Sequence, residues 1–298
     1  MPPRLGAFLA VVLWGVSFVA TRAAVAEVSP YALIFARTGL GACLLLAILA
    51  RRGEPILPPW EEAWALARMG FVGIAFHQTL QAFALRLTTA VNAGWLVGLT
   101  PLWSALLAAI YLRERLGLGK VAGLALGFAG ATLVVTGGRI GGGALALPAS
   151  RGDLMILAST LNWALYTVMG HATLRRLGPT RATAGALLFG WLFLLPAFAL
   201  SGGPAELARL SGVGWSAVLF LGLGCSGLGY LFWYGALERL EASRVAAFLY
   251  LEPLVTLAAA RVLLGESVPA TTLAGGALLV SGVVMVQRRA TELRPRRS

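Results

Sequence analysis

The stretch PLWSALLAAIYLRE at residues 101–114 has a counterpart, PLVTLAAARVLLGE, at residues 253–266. Each copy begins with proline and ends with glutamate, and both landmarks shift by 152 positions between the two halves of the chain. Further landmarks repeat with a shift of 152 or, near the start of each half, of 149: Gly123 and Gly275, Gly130 and Gly282, Trp14 and Trp163, Pro30 and Pro179. This nearly constant spacing indicates an internal duplication that covers most of the chain.

Composition indicates the class of protein. The chain has 298 residues, of which 58% are hydrophobic and only 12% are charged, and its mean hydropathy is +0.81. Soluble proteins carry about 25% charged residues. So few charges do not cover a water-exposed surface, which predicts an integral membrane protein surrounded by lipids. The net charge of +12 comes from short basic clusters between apolar runs, a pattern typical of membrane topology and not of nucleic-acid binding.

Hydropathy predicts how often the chain crosses the membrane. A spanning helix needs about 20 mostly apolar residues. The sequence contains ten such runs, at 6–25, 31–50, 63–83, 90–111, 119–137, 153–173, 182–200, 213–236, 244–263 and 270–287. We therefore predict an all-α integral membrane fold with ten transmembrane helices. A first repeat of five helices occupies residues 1–140, a second one residues 150–290, and a basic tail residues 291–298.

Basic residues are unevenly distributed between the two sides of the predicted membrane. With the N-terminus inside, the inner segments contain 16 of the 24 Lys and Arg residues and the outer segments contain 5. Basic loops stay on the cytoplasmic side, so we predict that both termini are cytoplasmic, in a bacterial inner membrane. Because each repeat has an odd number of helices, the second copy enters the membrane inverted relative to the first, as in many secondary transporters.

No sequence feature indicates an enzyme. The two cysteines, Cys43 and Cys225, lie in apolar runs without disulfide or metal spacing, so neither a metal nor a cofactor is expected. A G-x-G-x-x-G pattern at 222–227 has no βαβ unit around it. The segment GCSG at 224–227 is similar to a motif of rhomboid proteases, but those enzymes need a later histidine, and no histidine follows position 171.

The chain resembles the drug/metabolite transporter superfamily, in particular its EamA-type members. The resemblance rests on motifs along nearly the whole chain: Trp14-Gly15-Val16-Ser17-Phe18, Pro30 with Arg37, the run from Pro101 to Glu114, Gly152-Asp153, Trp163-Ala164 with Tyr166, Tyr250-Leu251-Glu252-Pro253, and Gly265-Glu266. It implies ten helices in an inverted repeat, a central cavity lined by helices 1, 3, 4, 6, 8 and 9, and export of small metabolites from the cytoplasm. Aromatic amino acid exporters of the YddG type are the functional subgroup that it suggests.

Two charged residues lie within predicted spans and differ between the copies. A charge at the centre of a membrane helix costs about 2.5–3.5 kcal/mol on insertion scales. Arg37 has Ala186 as its counterpart. It is a candidate site for a substrate carboxylate, or else a structural partner of an acidic side chain or of helix-end carbonyls. Glu252, whose counterpart is Thr100, is a candidate for proton coupling or for binding a substrate ammonium, or else a partner of an arginine or hydroxyl.

The other candidates act through shape or hydrogen bonding. Pro101 and Pro253 each remove a backbone hydrogen bond from a predicted helix, which makes them candidate hinges. Glu114 and Glu266 are expected to serve as helix caps or ion-pair partners. Polar and aromatic side chains in the predicted spans are candidate substrate-binding residues: Trp14, Ser17, His77, Gln78, Gln81, Trp95, Trp163, Tyr166, Tyr230, Trp233 and Tyr250. For these residues, ordinary packing or an interhelical hydrogen bond is the alternative.

Together these features predict a secondary transporter that exports amino acids, including aromatic ones, or related small metabolites by alternating access. An exporter of drugs or other metabolites and a facilitative, channel-like protein are the alternatives. Gly123, Gly127 and Gly130 permit close contact between helices. That contact forms either inside one bundle or between two subunits, so the chain is expected to be a monomer or a homodimer.

Overall fold

A computed structural model of the chain describes residues 1–56, 59–111, 117–139, 148–237, 239–240, 245 and 247–292. This part of the chain is almost entirely helical and contains no β-strand. Its α-helices are, in order, α1 Pro3–Ala24, α2 Pro30–Arg51, α3 Trp60–Met69, α4 His77–Leu87, α5 Ala90–Val97, α6 Thr100–Tyr111, α7 Leu118–Thr136, α8 Pro148–Leu177, α9 Pro179–Leu200, α10 Gly203–Ala208, α11 Gly212–Leu219, α12 Tyr230–Leu237, α13 Glu252–Leu264 and α14 Ala270–Glu292. A first π-helical segment, Gly70–Phe76, joins α3 to α4, and a second, Phe220–Gly229, joins α11 to α12.

Several helical stretches are long and apolar enough to cross a membrane. Six meet this condition among the described residues: Pro3–Ala24, Pro30–Arg51, Ala90–Leu107, Leu118–Thr136, Pro179–Leu200 and Gly212–Leu237. The chain is therefore a multi-span helical membrane protein. The other helical stretches do not meet the same test of length and hydropathy, so the count of ten spans stays a prediction.

Polar caps fix where some of the helices begin. The Ser29 hydroxyl accepts a hydrogen bond from the Ala32 backbone amide at 3.2 Å, and Pro30 opens α2. The Thr89 hydroxyl accepts one from the Asn92 amide at 3.0 Å at the start of α5. The first amides of a helix have no partner inside it, and an unsatisfied amide near lipid is costly. These caps therefore stabilise helix ends at the edge of the apolar layer.

The two candidate hinge prolines follow interruptions of their helices. α5 ends at Val97, and Pro101 is the second residue of α6. In the second copy a 3₁₀ segment, Ala247–Leu251, precedes α13, where Pro253 is again the second residue. Proline fits the first helical turn because that turn needs no intrahelical amide bond. Both prolines therefore lie at irregular points of longer helical stretches, and their role as hinges stays a prediction.

The most extensive contact between helices joins α7 to α14. A Cβ atom added at Gly130 would lie 2.5 Å from the Gly275 carbonyl oxygen, and one added at Gly275 would lie 2.8 Å from the Gly130 oxygen. Gly123 and Gly282 meet in the same way, at 2.8 and 2.5 Å. Backbones come this near only where side chains are missing. Of the two sequence alternatives for these glycines, the structure therefore supports packing inside one bundle.

These contacts are reciprocal in the register of the repeat. Gly123 corresponds to Gly275, and Gly130 corresponds to Gly282. Gly123 touches Gly282, the counterpart of Gly130, and Gly130 touches Gly275, the counterpart of Gly123. The four approach distances also match in pairs, 2.8 with 2.8 Å and 2.5 with 2.5 Å. A self-complementary contact of this kind is what a two-fold axis between two equivalent elements produces.

A second pair of crossings has the same reciprocity. α2 meets the second π-helical segment where a Cβ at Gly41 would lie 3.2 Å from the Gly222 oxygen. α9 meets the first π-helical segment where a Cβ at Gly190 would lie 3.0 Å from the Gly70 oxygen. Gly190 is the counterpart of Gly41, and Gly222 that of Gly70. Both crossings place a π-helical segment, a local widening often found at functional sites, against a helix of the other copy.

Replacing Gly130 by valine tests the α7–α14 contact. The added side chain meets the Gly275 backbone, and overpacking of this kind costs about 1–3 kcal/mol. We expect Gly130→Val to lower the thermal unfolding temperature of the detergent-purified protein clearly. Gly235→Val is the matched control, because a Cβ at this α12 glycine has no neighbour within 4 Å. Equal unfolding temperatures for the two variants would contradict the importance of the contact.

Candidate functional site

Trp14 of α1 stands at the centre of an aromatic group with Tyr230 and Trp233 of α12, here named the Trp14 cluster. The ring centroids of Tyr230 and Trp233 lie 5.6 and 5.3 Å from that of Trp14. The indole nitrogen of Trp14 donates a hydrogen bond to the Cys225 carbonyl at 3.3 Å. Gly229 makes room for the indole, since a Cβ there would lie 2.8 Å from that nitrogen. The structure thus brings three predicted site residues together.

Trp163 of α8, the counterpart of Trp14, is the centre of the second group, the Trp163 cluster. Its ring centroid lies 5.0 Å from that of His77 and 4.9 Å from that of Tyr166. Tyr166 is buried against Gly73 of the first π-helical segment, where no Cβ would fit. Both clusters therefore consist of a tryptophan from the first helix of a repeat facing a π-helical segment and the helix that follows it.

Polar side chains of α4 lie beside the Trp163 cluster. Gln81 donates a hydrogen bond to the Ser159 hydroxyl at 3.3 Å. Gln78 Oε1 and His77 Nδ1 are buried and have no hydrogen-bond partner among the described residues. Buried polar atoms without partners are rare in folded proteins, and each requires an explanation such as a ligand or a water molecule. The two clusters thus differ in chemistry: aromatic on α12, and imidazole and amide on α4.

Arg37 reaches from α2 to the second π-helical segment. Its Nε and Nη2 donate hydrogen bonds to the Ser226 hydroxyl at 3.4 and 3.3 Å. Among the described residues no acidic side chain lies within ion-pair distance of the guanidinium. The acidic partner that one sequence alternative required is therefore not found in this part of the chain. Ser226 itself was missed at the sequence level, because a serine in a glycine-rich run has no distinguishing signal.

Glu252 is the first residue of α13 and lies against α1. Its backbone oxygen accepts a hydrogen bond from the Thr256 hydroxyl at 3.0 Å, and a Cβ at Gly15 would lie 3.0 Å from the same oxygen. The carboxylate has no hydrogen bond or ion pair with any described residue. The proposed arginine or hydroxyl partner is thus not seen there, although the positive end of the α13 dipole favours a negative charge at this position.

Three other candidates lie outside the two clusters. Trp95 is buried in the apolar core with its ring against Gly276, so it packs between helices. Its indole nitrogen has no hydrogen-bond partner in the described part of the chain. Tyr250 lies in the 3₁₀ segment beside the same core. Ser17 donates a hydrogen bond to the Trp14 carbonyl within α1, at 2.6 Å. For Trp95 the packing alternative describes the structure best.

A small crevice opens beside the Trp14 cluster. Its walls come from α2, α9 and α12: Leu45, Thr180, Thr183, Tyr230, Leu231 and Tyr234. The gap between these walls measures about 140 Å³ with open solvent included and has no room for a water molecule, whereas small-molecule sites usually measure about 300–1,000 Å³. In this conformation the wall residues are therefore too close together to hold a typical metabolite.

Glu266 ties three helices together at the end of the bundle that the sequence places outside. Its carboxylate lies 3.0 Å from the Arg22 guanidinium of α1 and is 8% exposed. It also accepts hydrogen bonds from the Ala90 and Val91 amides at 3.0 and 3.1 Å, which caps α5. The expectation of a cap or an ion pair is confirmed for Glu266. Glu114, its counterpart, lies outside the described residues.

Further acidic side chains join helices at the same end. Asp153 of α8 accepts hydrogen bonds from the Thr88 hydroxyl and, at 2.9 Å, from the Asn92 amide. Glu27 accepts them from the Ser211 amide and hydroxyl at 2.9 and 2.8 Å. Charge-assisted hydrogen bonds are among the strongest in proteins. Polar contacts between elements of both halves therefore join the helices at this end of the bundle.

The opposite end has a different kind of ion pair. Arg176, at the end of α8, binds Glu62, at the start of α3, through both carboxylate oxygens. The guanidinium lowers the pKa of Glu62 below its ordinary value. The Arg176 side chain is 55% exposed, so solvent and salt weaken this pair more than the sheltered Glu266 pair.

The fold and the clusters define a class: a helical membrane protein whose described interior carries paired aromatic and polar groups, as transporters do. The chain belongs to the EamA-like transporter family, which matches residues 2–136 and 150–288. That family is consistent with the drug/metabolite transporter superfamily that the motifs indicated.

Several known proteins align with nearly the full length of this chain, and about three aligned residues in ten are identical. The chain is 30% identical to an "Uncharacterized transporter" of Archaeoglobus fulgidus, over 94% of this chain and 97% of the relative. It is 30% identical to a "Probable terminal-alkyne amino-acid exporter" of Streptantibioticus cattleyicolor, over 94% and 92%. It is 29% identical to the "Aromatic amino acid exporter YddG" of Ancylobacter novellus, over 92% and 93%.

A solved structure has the same fold. A protein whose structure is titled only "Crystal structure of protein" superposes with a TM-score of 0.67, and the match covers 98% of each chain at 24% identity. At this level of identity the likeness concerns the fold alone.

Neutralising Glu266 tests the tie between α1, α5 and α13. Hydrogen bonds to a charged group contribute about 1.5–3 kcal/mol, and Glu266→Gln weakens three of them. We expect faster hydrogen exchange at the Ala90 and Val91 amides, measured by mass spectrometry, together with a lower unfolding temperature. Glu61→Gln, at an exposed position of α3, is the control. Unchanged exchange at these amides would show that the cap contributes little.

Proposed function

We propose that the chain exports amino acids, aromatic ones among them, or related small metabolites across a bacterial inner membrane. Two inverted repeats of five helices each perform alternating access, with both termini in the cytoplasm and with membrane lipids around the bundle. Family membership establishes a transporter. The direction of transport, the substrate and the mechanism are the proposed parts.

The reciprocal glycine contacts are the observation that carries the mechanism. α7 meets α14, and α2 and α9 meet the π-helical segments, through residues that correspond in the two copies. Because the two copies make equivalent contacts, each copy adopts the conformation of the other copy with little change in free energy. Exchange of the two arrangements opens a central site first to one side and then to the other, which is how inverted-repeat transporters work.

The distribution of polar contacts supports the same mechanism. Glu266, Asp153 and Glu27 join helices at one end of the bundle, while Trp14 and Trp163 lie within predicted spans. The crevice beside Tyr230 is small in this conformation. Transport therefore requires the helices around the clusters to separate, and the interruptions before Pro101 and Pro253 are the proposed places where the chain bends.

The relatives support the choice of substrate. Two of them are named as exporters of amino acids, one of aromatic amino acids and one of terminal-alkyne amino acids. In this chain the Trp14 cluster offers flat aromatic faces, and the Trp163 cluster offers imidazole and amide groups. Such a site fits a flat or amphipathic molecule that also carries hydrogen-bonding groups. An amino acid with an aromatic or apolar side chain is of that kind.

Proteoliposomes loaded with labelled amino acids test this function. We expect efflux of phenylalanine, tryptophan or an apolar amino acid, faster than in protein-free liposomes and saturable with concentration. Truncation of one tryptophan, Trp14→Ala, is expected to lower efflux at least tenfold because it removes the centre of a cluster. Leu200→Ala, at an exposed end of α9, is the control. Absence of efflux for every amino acid would reject the proposed substrate class.

Glu252 is the proposed coupling group. Its carboxylate has no partner among the described residues, and no other ionisable group of that part of the chain interacts with it. In the proposed span, the low dielectric of the membrane disfavours the charged form of a carboxylate, so this group is suited to take up a proton during transport. We therefore propose that a proton gradient drives export through Glu252.

Glu252→Gln separates coupling from transport. We expect the wild type to respond to an imposed pH gradient, and the variant to exchange substrate across the membrane without that response. Glu54→Gln, at an exposed residue beside Arg52, is the control and keeps the response. If Glu252→Gln retains full dependence on the gradient, Glu252 does not carry the proton. If the wild type shows no dependence, transport is facilitative.

A further inference from the structure

Arg37 is a membrane-embedded cation for which the described part of the fold supplies no anion. It lies in α2, one of the helices long and apolar enough to span the membrane. The ion pairs among the described residues involve other arginines, namely Arg22, Arg52 and Arg176. A charge in the membrane interior costs free energy, and such residues usually pair or take part in function.

The contact that Arg37 does make is weak. Its Nε and Nη2 approach a single neutral oxygen, Ser226 Oγ, at 3.4 and 3.3 Å, which is longer than the usual 2.7–3.2 Å. A guanidinium has five N–H donors in a planar fork. Most of these donors therefore remain available, and their geometry matches the two oxygens of a carboxylate.

The second copy of the repeat shows that the fold does not need this pair. Ala186 and Ile74 are the counterparts of Arg37 and Ser226. A Cβ added at Gly41 of α2 would lie 2.6 Å from the Ser226 Cβ. A Cβ added at Gly190 of α9, the counterpart of Gly41, would lie 2.6 Å from the Ile74 Cβ. The same backbone approach thus forms around an apolar pair, so the arginine and the serine serve another purpose.

The guanidinium lies next to the Trp14 cluster. Its partner Ser226 directly follows Cys225, whose carbonyl accepts the hydrogen bond from the Trp14 indole. Tyr230 in turn contacts Trp14 and lines the crevice. A carboxylate bound to the guanidinium would therefore have aromatic rings beside it, and these rings would accept the rest of the molecule.

We propose that Arg37 binds the carboxylate of the transported substrate and that Ser226 occupies the guanidinium when no substrate is present. The substrate class is a monocarboxylate with an apolar or aromatic side chain, and the carboxylate, not the amino group, is the essential charge. This inference rests on the proposed function, because it places the transported substrate beside the Trp14 cluster.

Competition against efflux of a labelled amino acid tests the inference in the wild type. The competitors are matched in shape: phenylalanine, phenylpyruvate without the amino group, and phenethylamine without the carboxylate. If the protein transports another amino acid, the competitors are that amino acid, its oxo acid and its decarboxylated amine. We expect the amino acid and the oxo acid to compete, and the amine to compete at least tenfold more weakly. Equal competition by the amine would overturn the inference and leave the proposed export intact.

Substitution of Arg37 provides the second measurement. We expect Arg37→Gln to raise the apparent KM at least tenfold, and Arg37→Lys to raise it less because a charge remains. Arg261→Gln, at an exposed position of α13, is the control and leaves KM unchanged. An unchanged KM in Arg37→Gln would also overturn the inference. If Arg37→Gln does not fold, the competition in the wild type decides, and a wild type without any efflux rejects the proposed function itself.

Discussion

The contact between α7 and α14 is the constraint on which the arrangement of the two halves depends. Lipid tails are as apolar as leucine, so burial of apolar surface does not hold membrane helices together as it does in water. Close backbone approach replaces that driving force, and glycine permits it. At Gly123, Gly130, Gly275 and Gly282 the two backbones are so near that any Cβ would clash. The position of one half relative to the other follows from this contact.

A contact that is reciprocal in the repeat register leaves the remaining side chains free to diverge. The crossings of α2 and α9 with the π-helical segments keep the same glycines, whereas the residues beside them differ between the copies. One copy has Arg37 and Ser226, and the other has Ala186 and Ile74. Likewise, one tryptophan cluster has Tyr230 and Trp233 where the other has two glutamines. The geometry is thus shared, and the chemistry is specific to each half.

Much of the helix arrangement was predictable from the sequence because membrane helices are long apolar runs. The predicted run 6–25 corresponds to α1 Pro3–Ala24, and 182–200 to α9 Pro179–Leu200. The prolines marked the two helices that are interrupted, but the form of each interruption was not predicted. Hydropathy measures the length of an apolar run and not its hydrogen-bond pattern, so a break between α5 and α6 or a π-helical turn leaves no trace in it.

The candidate site was predictable only in part, and the reason is the distance along the chain between its members. Trp14 and Trp163 were found because the repeat relates them, and Arg37 because a charge in an apolar run is conspicuous. The partner of Arg37, Ser226, lies 189 positions away. No periodicity or local pattern connects two such residues. The partners of Glu266 at the start of α5 were missed for the same reason.

The charged groups of the chain are placed in a way that suits a protein with two states. Glu266 is satisfied by Arg22 and two backbone amides, so opening that end costs free energy. A transporter populates both states only if new contacts at the other end offset this cost to within a few kcal/mol. In the proposed mechanism, the corresponding contacts of the other copy at the opposite end supply this compensation. Arg37 and Glu252, in contrast, have no charged partner among the described residues, and each gains most from a substrate carboxylate or a proton that arrives from outside the fold.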